Sequence, residues 1–336
     1  MPRTVTIRDV AAKAGVSPAT ASRVLTGSDQ TSERARSAVR KAAADMGYSP
    51  NGVARSLRMS RTGVVGLLVS DIRNPHFAYL AHTIQTRLAS SGYAMILGNA
   101  SEDESTQDLF LQHVTQQRVD GLILAPQNPQ SAALRTLVAA QLPLVFVDRI
   151  ADGFDIPYAV SDSAMGLGAA FAHLAGLGHT RCGLVAGPLG TSTGRERHDY
   201  FASAAPQYFS EGVRIERGAD AAGPREAFRR LVEDGCTAVV FAYGPHTMEC
   251  LDLWSGPDFR APGDISVASF DDFPVFRVVS PALTAIRQDV DGMGEAVVDL
   301  LVALLSGQEL SHPHVTLPTS LIVRDSTGRP NRRTRP

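Results

Sequence analysis

Along the first fifty residues, apolar side chains recur every three or four positions: Ile7, Val10, Ala11 and Ala14, then Ala21, Val24 and Leu25, then Val39, Ala43 and Met46. That spacing puts each group on one face of a helix. The residues between the groups mark where helices stop and start. Gly15 is free to take positive φ and ends the first helix. Ser17 is a good N-cap, and Pro18 follows at the first helical position, where its missing N–H costs nothing. Ser32 caps a third helix, Glu33 sits in its first turn, and Gly47 stops it after Met46. Two short helices joined at Gly15-Val16 read as a helix-turn-helix, and three such helices can share one small core.

From Gly63 the rhythm changes. Apolar runs at 64–69, 93–97, 121–124 and 144–147 alternate with amphipathic stretches near 77–90, 106–117 and 131–140. A second set begins near Ala164, with strands near 183–185, 213–216, 238–241 and 265–269. This βαβ repetition predicts two doubly wound lobes, each a parallel sheet with helices on both faces. Pro206 is expected to end the helix that follows Arg197.

Composition bounds the class. The 336 residues suffice for two or three compact units, and 44% hydrophobic with 20% charged residues are globular values. No apolar run of about 18 residues occurs, and the N-terminus has no secretion signal, so a cytoplasmic protein is expected. Cys182, Cys236 and Cys250 are far apart without CxxC spacing and read as buried thiols. Charge is the sharper clue. Residues 1–61 carry eleven Lys/Arg against four acids, net +7, which leaves −9 for the rest of a chain whose total is −2. A basic head on an acidic body is the footprint of a polyanion bound by the head alone.

The segment Val5-Thr6-Ile7-Arg8-Asp9-Val10-Ala11, followed by Ala14-Gly15-Val16-Ser17-Pro18-Ala19-Thr20-Ala21-Ser22-Arg23-Val24-Leu25, resembles the head of the lactose-repressor (LacI/GalR) family of bacterial transcription regulators. The likeness continues through Gly47-Tyr48-Ser49-Pro50-Asn51 and Val53-Ala54-Arg55-Ser56-Leu57, which is similar to that family's hinge helix. Pattern and resemblance together divide the chain into a small all-α helix-turn-helix head (1–49), a hinge and linker (50–61), an α/β body like the periplasmic binding proteins (62–328) and a tail (329–336). Within the body the lobes are expected at about 62–161 plus 288–320, and about 162–287 plus 321–328.

On the second helix, Pro18, Ala19, Ser22 and Arg23 lie on the N-terminal, outward side that a helix-turn-helix presents to base edges. Arg23 can donate two hydrogen bonds to guanine, while Pro18 and Ala19 offer apolar contact suited to a thymine methyl. The resemblance places Thr6, Ser17, Thr20, Thr31, Ser32 and Asn51 at backbone-contact positions, where short donors fix register on phosphates. Ser17 and Ser32 read equally well as helix caps alone. Asn51 to Leu57 is too short to be a stable helix by itself. In the family, paired hinge helices form on operator DNA and press a leucine into the minor groove; Leu57 holds that place, beside Ala54 and Arg55, with Ala54 small enough to let two helices approach. Packing of Leu57 on the body is the other reading.

Ligands of doubly wound sheets bind beyond the carboxyl ends of the strands. The resemblance narrows the candidates to His76 and Phe77 after the first strand, Asp148 and Arg149 after the fourth, Thr191, Thr193 and Arg197 in the second lobe, and Asp271 in Ser269-Phe270-Asp271-Asp272. Arg197 and Asp271, facing each other, would grip hydroxyls or a carboxylate; a lobe-closing salt bridge is the alternative. Where the family commonly has Asn-Asp, this chain has Tyr243-Gly244-Pro245, so two polar pocket groups are replaced. Phe77, Tyr243 and Trp254 are candidates for an aromatic face against a sugar ring.

Other classes fare worse. A secreted sugar-binding protein needs a signal peptide and has no use for a basic head. For an enzyme, Gly166-Leu167-Gly168 and Gly292-Met293-Gly294 are lone GxG fragments without a dinucleotide site's third glycine, and no HExxH, Walker loop or GxSxG occurs. His113, His173 and His179 are scattered and read as surface or core residues. No catalytic residue, metal ligand or cofactor is expected. The expected protein is a repressor that binds a pseudo-palindromic operator as a homodimer, since one head covers one half-site. The tail lacks the leucine heptads of a tetramer bundle. A small effector, a sugar or sugar derivative ahead of a nucleobase or small acid, would change lobe closure and so the pairing of the hinges.

Overall fold

Among the described residues three helices form the head: α1 Ile7–Ala14, α2 Pro18–Leu25 and α3 Glu33–Asp45. The computed structural model describes residues 5–25, 31–48, 61–127, 130–254 and 259–331. Asn51, Ala54, Arg55 and Leu57 lie outside those residues, as does the end of the tail. Two units separate, residues 1–62 and residues 63–336.

The head's core is built from small side chains, Val10, Ala11, Ala21, Val24, Val39, Ala42 and Ala43, all buried. So little apolar area makes the helix ends matter. Thr6 and Asp9 form a reciprocal capping box on α1, and Gly15 closes that helix at φ 66°. The Ser17 hydroxyl accepts from the Thr20 N–H at 3.1 Å, and Ser32 accepts from the Ala35 N–H at 3.3 Å.

In the body the order is β1 Val64–Val69, α4 Pro75–Ser90, β2 Ala94–Asn99, α5 Glu104–Gln116, β3 Gly121–Leu124, α6 Ala132–Ala139, β4 Leu144–Val147 and β5 Tyr158–Ser161. The chain then makes α7 Ser163–Gly176, β6 Cys182–Ala186, α8 Ser192–Ala204, β7 Val213–Arg217, α9 Gly223–Glu233, β8 Ala238–Phe241, α10 Gly244–Glu249, β9 Ser266–Phe270 and β10 Thr284–Gln288. It closes with α11 Val290–Leu305, β11 His314–Leu317 and β12 Thr319–Ile322. One sheet has the order β11-β5-β4-β3-β1-β2 and the other β12-β10-β9-β8-β6-β7. Pairing is parallel except between β10 and β12, an antiparallel edge. Central strands such as β6 and β9 are buried along their whole length, which is why they read as unbroken apolar runs.

The chain passes between the lobes three times: after Ser161, after Gln288 and at Pro318. The third passage falls two residues before the boundary placed near 320, because Thr319 already pairs with Gln288 in the second sheet. The two GxG fragments lie inside helices and serve packing. A methyl on Gly166 would fall on Ile286 and Thr319, and one on Gly294 would lie 3.0 Å from the Thr83 Cβ, so glycine lets α7 and α11 approach their neighbours. Helix α8 stops at Ala204, and Pro206 sits just beyond it in a 3-10 turn, Ala205–Gln207. The three cysteines are free and buried. Burial pushes the Cys236 thiol up to about 11 and Cys250 to about 12.

Candidate functional site

Side-chain caps on the helices that follow strands prepare the site. Asn74 accepts from the His76 N–H at the start of α4, with Pro75 at the first helical position, and Thr191 accepts from the Gly194 N–H at the start of α8. The turns before these helices are thereby fixed. After β4 and β9 the chain turns through residues of positive φ, Asp148 at 61° and Asp271 at 73°, which direct two carboxylates into the same space. Non-glycine residues pay strain to hold such angles, a cost common at binding sites.

These turns meet in a narrow cleft between the lobes with about 20 Å³ of open volume. His76, Phe77, Asp148, Arg149, Thr191, Thr193, Arg197, Tyr243 and Asp271 all line it, joined by Asn74 and Gln288. The structure thus brings together every effector-binding candidate. Trp254 is the exception among the proposed aromatic faces: it is 1% exposed, packed between Phe228 and Phe241 in the core of the second lobe. Its indole is too large and apolar to leave that core.

The cleft is charged and its charged side chains are buried. His76 Nε2 lies 2.9 Å from Asp148 Oδ1, with both side chains buried. Burial opposes a charge on His76, but the carboxylates of Asp148 and Asp271 outweigh it and raise its pKa. Burial likewise opposes ionisation of Asp148, and His76 reverses the balance, holding the carboxyl below its ordinary range. Arg149 donates from both terminal nitrogens to Glu102, at 2.8 Å each, and from one of them to Gln127 at 2.8 Å. Tyr243 Oη, from the opposite lobe, donates to the same Glu102 at 3.3 Å. Burial first, then Glu102, raises the pKa of that phenol.

Arg197 and Asp271 form no direct salt bridge. The Arg197 guanidinium lies 3.5 Å from the centre of the Phe270 ring and donates through Nη1 to the Ala242 carbonyl at 2.9 Å. Asp271 Oδ1 accepts from Gln288 Nε2 at 2.5 Å. The neighbouring Asp272 turns away and takes Arg277, Arg287 and Arg324. Three further bonds join the lobes around the mouth: Ser192 Oγ accepts from the Ile150 N–H at 3.0 Å, Arg195 meets Asp152 at 3.0 Å, and Gln288 approaches His76 Nδ1 at 3.4 Å. Glu102, Gln127, Gln288 and Asn74 were missed in the sequence. Only Asn74 carried a local signal, as a cap before Pro75.

In the head, Pro18, Ala19, Thr20, Ser22 and Arg23 lie on α2, with Ser17 just before it. Thr6 and Ser32 are caps of α1 and α3, and Thr31 directly precedes the cap of α3. The Thr6 hydroxyl donates to Asp9 at 2.7 Å, so its proton is used inside the head. Among the described residues no helix is long and apolar enough to cross a membrane.

Comparison with known proteins agrees with both halves. Residues 6–51 match the family described as bacterial regulatory proteins, lacI family, and residues 62–241 match the periplasmic binding proteins and sugar binding domain of the LacI family. The chain is 31% identical to the HTH-type transcriptional regulator PtxS of Pseudomonas plecoglossicida, over 96% of each chain. It is 29% identical to the ribose operon repressor of Halalkalibacterium halodurans, covering 96% of this chain and 97% of that one. The fold superposes on the lac repressor dimer bound to operator and the anti-inducer ONPF with a TM-score of 0.83 at 27% identity, covering 97% of this chain and all of that one. The chain belongs to the LacI family of DNA-binding transcription regulators.

Proposed function

We propose that this regulator is a repressor that binds a pseudo-palindromic operator as a homodimer and responds to a small effector held between its lobes. The observation that carries the effector half is the cleft itself: polar side chains from both lobes converge on one space and are joined across it by hydrogen bonds such as Tyr243 to Glu102 and Ile150 to Ser192. A sugar or sugar derivative is the favoured class. Hydroxyls can be gripped by Arg197, Asp271 and Asp148 while the Tyr243 ring offers an apolar face. The loss of Asn-Asp at Tyr243-Gly244 supports a second reading, a nucleobase or small acid in place of a neutral sugar.

For DNA, Pro18, Ala19, Ser22 and Arg23 are assigned to base edges and Ser17, Thr20, Thr31, Ser32 and Asn51 to phosphates. The oxygens of Ser17 and Ser32 accept cap bonds, and the Ser17 and Thr20 hydroxyls share one hydrogen at 2.9 Å, so one proton of that pair and the Ser32 proton are left for phosphates. Thr6 belongs with them by position, its N–H and hydroxyl both donating to Asp9 in the capping box. Ala54, Arg55 and Leu57 are assigned to the hinge, with Leu57 as the wedge. Pairing of two bodies is supported by exposed Tyr79 on α4 and by Ile96 and Leu97 on the edge strand β2, apolar groups that a second copy would cover. The protein is assigned to the cytoplasm, where operators are.

Selection of bound duplexes from a random pool with the full chain tests this reading. Two inverted half-sites are expected, with Arg23→Ala relaxing preference at one base per half-site and Leu57→Ala weakening binding. Recovery of a single, non-repeated site, or a Leu57→Ala protein that binds as tightly as the parent, would refute the paired-hinge arrangement.

A further inference from the structure

Hydrogen-bond supply in the cleft is unequal. The acceptors are largely committed: both Glu102 oxygens take Arg149, one of them also Tyr243, Asp148 faces His76, Asp271 takes Gln288, and Asn74 takes the His76 N–H. Around the cleft, the buried polar atoms left without a hydrogen bond include two arginine donors and one acceptor, Gln288 Oε1. Arg197 Nε and Arg149 Nε are buried without a hydrogen-bond partner, and among the described residues no carboxylate comes within 4.0 Å of Arg197. Asp271 and Asp148 act on Arg197 only from further away, and burial disfavours its charge. Arg149 has Glu102 to neutralise it. Arg197, at 5% exposure, has a ring, one carbonyl and no close anion. An arginine stripped of water in this way is costly unless an anion arrives.

We infer that the effector is a polyhydroxy monocarboxylate, a sugar acid, whose carboxylate docks on Arg197 and whose hydroxyls donate to Asp271 and Asp148. This deepens the reading of the cleft as the effector site and rests on it. The single charge follows from the lining. Asp148 and Asp271 share the lining and both act on Arg197, so a dianion such as a phosphate ester would face two carboxylates, whereas one carboxylate meets the one guanidinium without a close partner. The hydroxyls follow from the same carboxylates: an apolar acid would leave the open acceptor sites of Asp271 buried against carbon.

The test uses the full chain with defined probes: the sodium salts of gluconate, galactonate, glucuronate and galacturonate, each beside its parent aldose, with ribose and adenine added. Thermal shift screens them and titration calorimetry measures affinity. At least one acid is expected to bind about tenfold or more tighter than its parent aldose, a difference of one decade in Kd. Arg197→Met should abolish that preference and Arg197→Lys retain part of it, circular dichroism having confirmed that both variants fold. An aldose or adenine that binds at least as tightly as every acid, and that Arg197→Met weakens, would overturn the acid class and leave the cleft assignment standing. A ligand whose affinity neither Arg197 variant nor Thr193→Val alters would overturn both. A panel in which nothing binds overturns the sugar-acid proposal.

Discussion

Replacing Glu102 by alanine tests how the cleft is held. Glu102 takes two N–H bonds from Arg149, whose side chain is 3% exposed, and one O–H bond from Tyr243 across the lobes. Removing one partner of a buried ion pair costs ~3–5 kcal/mol because the other charge stays behind. Here Glu102 is 28% exposed and Arg149 keeps Gln127 and, at 3.8 Å, Asp148, so about 2 kcal/mol is the expected loss. For a unit of this size that lowers the body's melting temperature by roughly 4–8 °C in calorimetry. Glu102→Gln, which can still accept one arginine N–H, should lose about half as much. The partner change separates charge from packing: Arg149→Met removes the stranded cation, so Glu102→Ala/Arg149→Met should be less destabilised than the sum of the single variants. A Glu102→Ala shift under about 1 °C, or strict additivity in the double variant, would mean that the pair is solvated in solution and does not hold the cleft.

Other outcomes follow from the same contacts. His179 bonds to Thr237, Ser266 and the Gly328 carbonyl, and burial lowers its pKa to about 4 although the Gly328 carbonyl favours the charged ring. Its contribution to stability is present above the unfolded value of ~6.5 and is lost as pH falls toward about 4. The melting temperature should therefore drop over that range less steeply in His179→Gln than in the parent, and parallel curves would contradict the assignment. Gly166→Ala should destabilise the body by about 1–3 kcal/mol in urea melts, since its methyl meets Ile286 and Thr319 beside a lobe crossing; an unchanged midpoint would show that the crossing yields. Ser32→Ala should cost the head about 1 kcal/mol, read as earlier loss of helical signal with the body's transition unmoved.

Much of the architecture was legible because its strands are buried on both faces. The runs at 64–69, 121–124, 144–147 and 238–241 coincide with β1, β3, β4 and β8. The strands that escaped notice, β5, β10, β11 and β12, lie at the crossings and sheet edges and mix Thr, Ser, His, Arg and Gln with aliphatics, so neither apolar run nor clean alternation marks them. The cleft shows the same division. His76, Asp148 and Asp271 follow strands and were found by position. Glu102 follows β2 as well, yet it reaches Arg149 only because Ser101 and Glu102 both adopt positive φ, at 54° and 57°, a turn that no glycine announces. Trp254 was misplaced for the opposite reason: an aromatic residue outside any strand reads as available, whereas the second lobe needs its bulk beside Phe228 and Phe241.

The buried cysteines have a practical corollary. With burial raising the thiol pKa to about 11 for Cys236 and about 12 for Cys250, and well above its ordinary value for Cys182, the native chain is nearly devoid of thiolate at neutral pH, on the order of one part in ten thousand or less. A single cysteine introduced on the cleft rim, at Asp152 or Arg195, would therefore carry a maleimide or spin label on an otherwise silent background. Lobe separation could then be measured in solution without removing any native residue from the core.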